Sequence, residues 1–362
     1  MSLCLLHKTN NPSESSRVRK ACVIKMKDLK MKERYRLECG TERLRWLDVV
    51  KGIGIILVVV GHIYSNRTVF NWLYSFHMPL FFIAAGLVYR KKPILVDIRR
   101  RIQSIVVPYF SLGGLLLIYW QLLERKFRDS DKSFANSFMG LFSGQYDNLD
   151  FNVHLWFLPC FFVTVVLYNI LVNVGGKLAT YIVVAMMSLS SILLSIPGLP
   201  WGIDRAFYYI GFYAVGALGA ENTKYVDIVN KKICRALIAV LLLAVNFTLS
   251  YYNQINGIMS WVTALIGVAG IVMLSCTINE SKLLQYFGRI SLIVLCIHGP
   301  VYRILVKLIA VSIRTSTDSV RENFLLAMFV VAITMAISSV AYEIAVRVAP
   351  WIVGKKKSTN VF

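Results

Sequence analysis

The sequence predicts an all-α, polytopic integral membrane bundle of about ten transmembrane helices, with both termini cytosolic. Three observations predict it. Of 362 residues, 57% are hydrophobic and only 16% are charged, and the mean hydropathy is +0.61; a soluble domain carries about 25% charged residues. Apolar runs of spanning length, about 20 residues each, recur along the chain. Lys and Arg are divided unevenly between alternate connections, as the positive-inside rule requires. A disordered chain is excluded by the amount of apolar surface available for burial, and a soluble globule by the greasy patches it would expose. A membrane β-barrel is excluded because the runs are continuously apolar and do not alternate.

The elements follow in order. Residues 1–45 read as a basic cytosolic tail, with 12 Lys/Arg against 5 Asp/Glu and no cleavable apolar core. Residues 46–352 hold the spans, expected at 47–65, 72–89, 104–123, 154–173, 178–196, 206–220, 233–251, 257–277, 290–311 and 324–349. Residues 353–362 form a second short basic tail. With the N-terminus inside, inner segments carry 29 Lys/Arg and outer segments 8, while Lys51, Arg303 and Lys307 fall within spans. The net charge of +21 is therefore mostly topology, and the expected partner is a lipid bilayer, not nucleic acid. Seven cysteines, at 4, 22, 39, 160, 234, 276 and 296, form no CxxC or zinc spacing. Neither a disulfide framework nor a metal site is expected.

Ionisable residues inside spans cost about 2.5–3.5 kcal/mol each at the helix centre, so they default to functional candidates. Of five histidines, four (His62, His77, His154 and His298) lie in or at the edge of spans. In the first span, Lys51 and His62 are eleven residues apart, which returns them to one helix face about 16 Å apart along the axis. Asp48 precedes Lys51 by one turn and is placed to pair with it. The alternative is a snorkelling lysine, a packing histidine and close-packing glycines. His77 begins the return span at a depth similar to His62, or is a core histidine held by the geometry of Pro79. Arg90, Lys91, Lys92, Arg99, Arg100 and Arg101 form a basic cluster before Pro108-Tyr109. It suits a polyphosphate ligand, or is the topological signal itself. His154 and Trp156 fall at the outer interface, where Trp is an ordinary belt residue. His298 stands half-way across the ninth span beside Gly299-Pro300.

Taken together and in order, these segments resemble the acyltransferase-3 family of integral membrane O-acyltransferases, in particular its fucose 4-O-acetylase-like branch. The stretch Asp48–His62 resembles the family's Arg/Lys-x10-His signature, with Lys51 at the basic position. Phe76-His77-Met-Pro-Leu-Phe-Phe resembles the second-helix motif, and Arg101 ahead of Pro108-Tyr109 the basic stretch before the third helix. His154-Leu-Trp-Phe-Leu-Pro159 and Ser291…His298-Gly-Pro300 resemble later motifs. The resemblance implies a cell-membrane enzyme that uses acetyl-CoA and acetylates a hydroxyl of a surface glycan or its lipid-linked precursor. It implies His62, Asp48 and His77 as catalytic residues. Lys51, Arg99, Arg101, His154, Trp156 and His298 would contact donor and acceptor. A transporter or flippase would also use intramembrane histidines and broken helices. Against it stand the lack of an inverted repeat and the crowding of ionisable residues into the first two spans.

Overall fold

The computed structural model describes residues 45–127, 133–194, 197–221, 231–252 and 257–354. The basic tail over 1–44 and residues 355–362 lie outside the described residues, as do His7, Cys4, Cys22 and Cys39. Every regular element among the described residues is helical. The helices are α1 (Arg45–Ile63), α2 (Arg67–Tyr74), α3 (His77–Gly86), α4 (Ile94–Arg101), α5 (Val107–Leu122), α6 (Phe134–Ser143) and α7 (Phe157–Leu193). They continue as α8 (Ile203–Glu221), α9 (Lys232–Tyr252), α10 (Ile258–Thr277), α11 (Lys282–Ser312), α12 (Thr317–Glu322) and α13 (Phe324–Val348).

Among the described residues, seven helical stretches are long and apolar enough to cross a membrane: α1, α4 through α5, Val153 to the end of α7, α9, α10, α11 and α13. The protein is a multi-pass membrane protein. The expected ten spans are divided differently for local reasons. The stretch 72–89 is not one helix, because the chain breaks at Phe76 (φ −141) between α2 and α3. The runs 154–173 and 178–196 both lie within α7 and are set apart by a kink at Gly176 (φ 72), a left-handed conformation that glycine adopts without strain. The run 206–220 lies in α8, a helix of 19 residues that carries Asp204 in its first turn. Between α4 and α5 the helix loosens into a π turn over Ile102–Val106. Pro108 follows it and has no N–H for the carbonyl one turn back, which favours such a bulge.

Two packing contacts set the height of the site. A Cβ on Gly288 would collide with the Asp48 carbonyl, and one on Gly52 with the Leu284 carbonyl. Glycine at both places lets the α1 and α11 backbones touch, the close approach that small residues allow in membranes. Along α1, Gly54 meets Leu80 and Phe81, whereas Gly61 meets Leu73 and Tyr74. The α2–α3 pair therefore runs antiparallel to α1. The chain leaves α3 at the end of the bundle where α1 begins, which places the basic residues 90–101 at that end, with Lys51. There the connection is stapled to α7. Asn169 Nδ2 and Asn173 Nδ2 both donate to the Lys92 carbonyl, at 3.1 and 3.0 Å, and Tyr89 Oη donates to Asn169 Oδ1 at 3.0 Å.

Candidate active site

His62 lies ten residues beyond Gly52 on α1, and His298 ten residues beyond Gly288 on α11. From the glycine crossing, both helices climb about 15 Å at 1.5 Å per residue, so the two imidazoles arrive at one level. Their ring centroids are 5.3 Å apart. His154 completes the group, 4.1 Å from His62 and 4.3 Å from His298. His154 and His298 are buried, and His62 is half-buried.

The segment that carries His154 is fixed by a defect in α11. Pro300 cannot donate to the carbonyl of Cys296, four residues back. The buried Asn152 supplies the missing donor, with its Nδ2 2.6 Å from the Cys296 oxygen. Two turns along α11, Arg303 Nη2 donates to the Phe151 carbonyl at 3.2 Å. Arg303 is also ion-paired with Glu124, its Nε 2.6 Å from Oε1 and its Nη2 donating to Oε2 at 3.1 Å. Held at both points, the turn Val153–Trp156 lays His154 directly over Gly299. A Cβ there would stand 2.7 Å from His154 Cδ2 and 3.0 Å from its Nε2.

Hydrogen bonds orient two of the rings. His298 Nδ1 lies 2.9 Å from the carbonyls of both Val294 and Leu295. It must donate there, which leaves Nε2 with the lone pair in the neutral ring. Tyr74 Oη lies 2.8 Å from His62 Nδ1. His154 Nε2 and His298 Nε2 are buried and have no hydrogen-bond partner among the described residues. The backbone under His62 is capped by Arg321, which donates to the carbonyls of His62 and Ile63 at 3.3 Å each. A cation is favourable at this C-terminal end of α1.

A family profile described as an acyltransferase domain, that of acyltransferase-3, matches residues 44–343. The chain belongs to the acyltransferase-3 family. No curated protein and no solved structure matches it. The match runs from α1 into α13 and includes every residue of the histidine group, so this membrane O-acyltransferase holds its polar centre inside the family domain.

The acyltransferase places the residues singled out in the sequence at two levels. His62, His154 and His298 come together. His77 is one contact removed: its Nδ1 donates to the Leu73 carbonyl at 2.7 Å, and the Tyr74 ring lies edge-on to both His77, at 4.6 Å, and His62, at 5.6 Å. Trp156 stands beside the group, with the Arg205 guanidinium between it and Tyr146, 4.7 and 4.2 Å from their ring centres. Asp48, buried, and Lys51, half-buried, sit at the start of α1, on the face that His62 occupies at the other end. Arg99 is exposed. Arg101 is ion-paired to the buried Asp97, Nε to Oδ1 at 3.4 Å.

Sequence reading missed Tyr74, Asn152 and the Arg303–Glu124 pair. Tyr74 carried a usable signal, since it lies three residues before His77. Asn152 carried one too, because an asparagine next to a candidate turn is an obvious donor for a proline-broken helix. Glu124 carried none: its partner is 179 residues away.

Proposed function

We propose that this acyltransferase is an O-acetyltransferase of the inner cell membrane, of the fucose 4-O-acetylase-like type. It moves the acetyl group of acetyl-CoA to a hydroxyl of a sugar in a surface polysaccharide or its lipid-linked precursor. The observation that carries this reading is the disposition of α1. Its first turns present Lys51 at the basic end of the bundle. Its last turn presents His62, on the same face and about 16 Å away, among other imidazoles.

Acetyl-CoA is a polyanion with a long thin arm. Its phosphates bind Lys51, Arg99 and Arg101 at the cytosolic end, and Asp48 orients Lys51. The arm runs along α1 and delivers the thioester to His62. The acceptor hydroxyl arrives from the opposite end, past Trp156 and His154. Neutral imidazole suits the role of general base. With Nδ1 donating to the Tyr74 oxygen, His62 takes the hydroxyl proton through Nε2 while the oxygen attacks the thioester carbon. His77 braces Tyr74, and His154 and His298 offer ring nitrogens that accept hydrogen bonds from the acceptor. The tetrahedral intermediate then collapses, the carbon–sulfur bond breaks, and the CoA thiolate leaves with the proton returned by His62.

The test is acetylation of native glycan in membranes, read by mass spectrometry as gain of an acetyl group. His62→Ala abolishes transfer at equal protein level, and Lys51→Ala chiefly raises KM for acetyl-CoA. Wild-type transfer by His62→Ala would remove the base assignment. An unchanged KM in Lys51→Ala would remove the donor site.

A further inference from the structure

We propose that His62, His154 and His298 form a binding site for a divalent transition metal ion of the zinc class, and that filling it switches acyl transfer off. The inhibitory part rests on the reading of His62 as the general base; the metal site itself rests on geometry. The cysteine spacings that promise no metal have no bearing on these three histidines, which come from three separate parts of the chain.

One potential ligand atom from each ring lies within 4.8 Å of the others. Zinc accepts imidazole nitrogens at about 2.0–2.1 Å, commonly three from the protein with a fourth position left open. Around a tetrahedral ion those nitrogens stand about 3.3 Å apart. The cluster closes to that spacing mainly by movement of His62, which is half-buried.

Three features favour a cation over a chance meeting of rings. First, burial of an unpaired polar atom is costly, yet Nε2 of both His154 and His298 is buried without a partner among the described residues. Second, the back of His298 is anchored as metal-binding histidines are. Its Nδ1 donates to backbone carbonyls at 2.9 Å, which fixes the tautomer and presents Nε2 as the donor atom. Third, neighbouring positive charge is engaged elsewhere. Arg303 is held by Glu124 at 2.6 Å, and Arg321 is directed to the α1 carbonyls.

A metal here takes the lone pair with which His62 would accept the hydroxyl proton. The site is thus exclusive: base when free, ligand when filled.

The experiment uses full-length protein purified in detergent and stripped with chelator. It is titrated with Co2+, whose visible spectrum reports tetrahedral nitrogen coordination, and with Zn2+ by calorimetry. The expected result is one ion per chain with a tetrahedral cobalt spectrum. Affinity falls at least tenfold in His298→Ala and in His62→Ala, and is unchanged in His77→Ala. Because His298→Ala removes a core side chain, His62→Ala at the half-exposed position serves as the variant expected to stay folded, checked by thermal unfolding. Zn2+ then inhibits transfer, and chelator restores it. No stoichiometric binding, or equal affinity in wild type and both variants, overturns the site. Binding that follows the variants with transfer unaffected at saturating Zn2+ keeps the site and overturns the base assignment. Loss of transfer in His62→Ala, when the wild-type protein itself binds no metal, keeps the base assignment and overturns the site.

Discussion

Tyr74 is the residue on which the orientation of His62 turns. Its hydroxyl lies 2.8 Å from His62 Nδ1, and its ring is stacked on Phe70 at 3.8 Å and set edge-on to His77 at 4.6 Å. Phenylalanine keeps both ring contacts and removes only the hydroxyl. A neutral hydrogen bond contributes about 0.5–1.5 kcal/mol, so Tyr74→Phe lowers kcat by about 2- to 10-fold. KM for acetyl-CoA stays unchanged, because the proposed site for the donor phosphates is at the other end of α1. Steady-state kinetics in membranes check this; an unchanged kcat would show that the hydroxyl does not orient the base. The eleven-residue spacing of Lys51 and His62 was legible in the sequence because both lie on one helix, where periodicity alone fixes the face. Tyr74 was not legible as a partner of His62. The first helix ends at Ile63 and the next begins at Arg67, and no helical period carries across that turn.

The turn Val153–Trp156 and α11 make the element that builds the site, and they depend on each other through Pro300 and Asn152. Without Asn152 the Cys296 carbonyl is buried and unpaired, at a cost of about 1–3 kcal/mol. Asn152→Leu therefore lowers the thermal midpoint of the purified protein and reduces transfer, because His154 loses its tether. Pro300→Ala restores a backbone N–H one turn from the same carbonyl. In the double variant, stability returns toward wild type while transfer stays low, since the helix is repaired but His154 is still loose. Additive losses in unfolding midpoints would show that the two residues do not share that carbonyl. The sequence placed His154 at an interface and His298 in mid-span; only the family resemblance set both at one site, and no residue pattern showed that their rings meet. Hydropathy says which runs cross a membrane, not which runs are neighbours. Only Gly299 hinted at a close approach, and it did not name the residue that approaches.

At the scale of the whole molecule, the question is which end of the bundle faces the cytosol. The antiparallel course of α1 against α2–α3 puts Lys51 and residues 90–101 at one end and the histidine group toward the other. In the expected ten-span arrangement the Lys/Arg asymmetry of the connections, 29 against 8, would turn the first end to the cytosol, the side from which the proposed donor comes. Cys234, at the start of α9, is exposed, whereas Cys160, Cys276 and Cys296 are buried. A variant with Cys4, Cys22 and Cys39 changed to Ser thus leaves Cys234 as the reporter of one end. Asn66, exposed just after α1, reports the other when changed to Cys in a chain that also has Cys234→Ser. With a membrane-impermeant maleimide, Cys234 is protected in intact cells and labelled in inverted vesicles. The cysteine at position 66 shows the opposite pattern. If both label from the same side, an even number of crossings separates positions 66 and 234, and the ten-span arrangement, which puts five spans between them, fails. If the pattern is reversed, the basic end faces away from the donor, and acetyl-CoA could reach His62 only by first crossing the membrane.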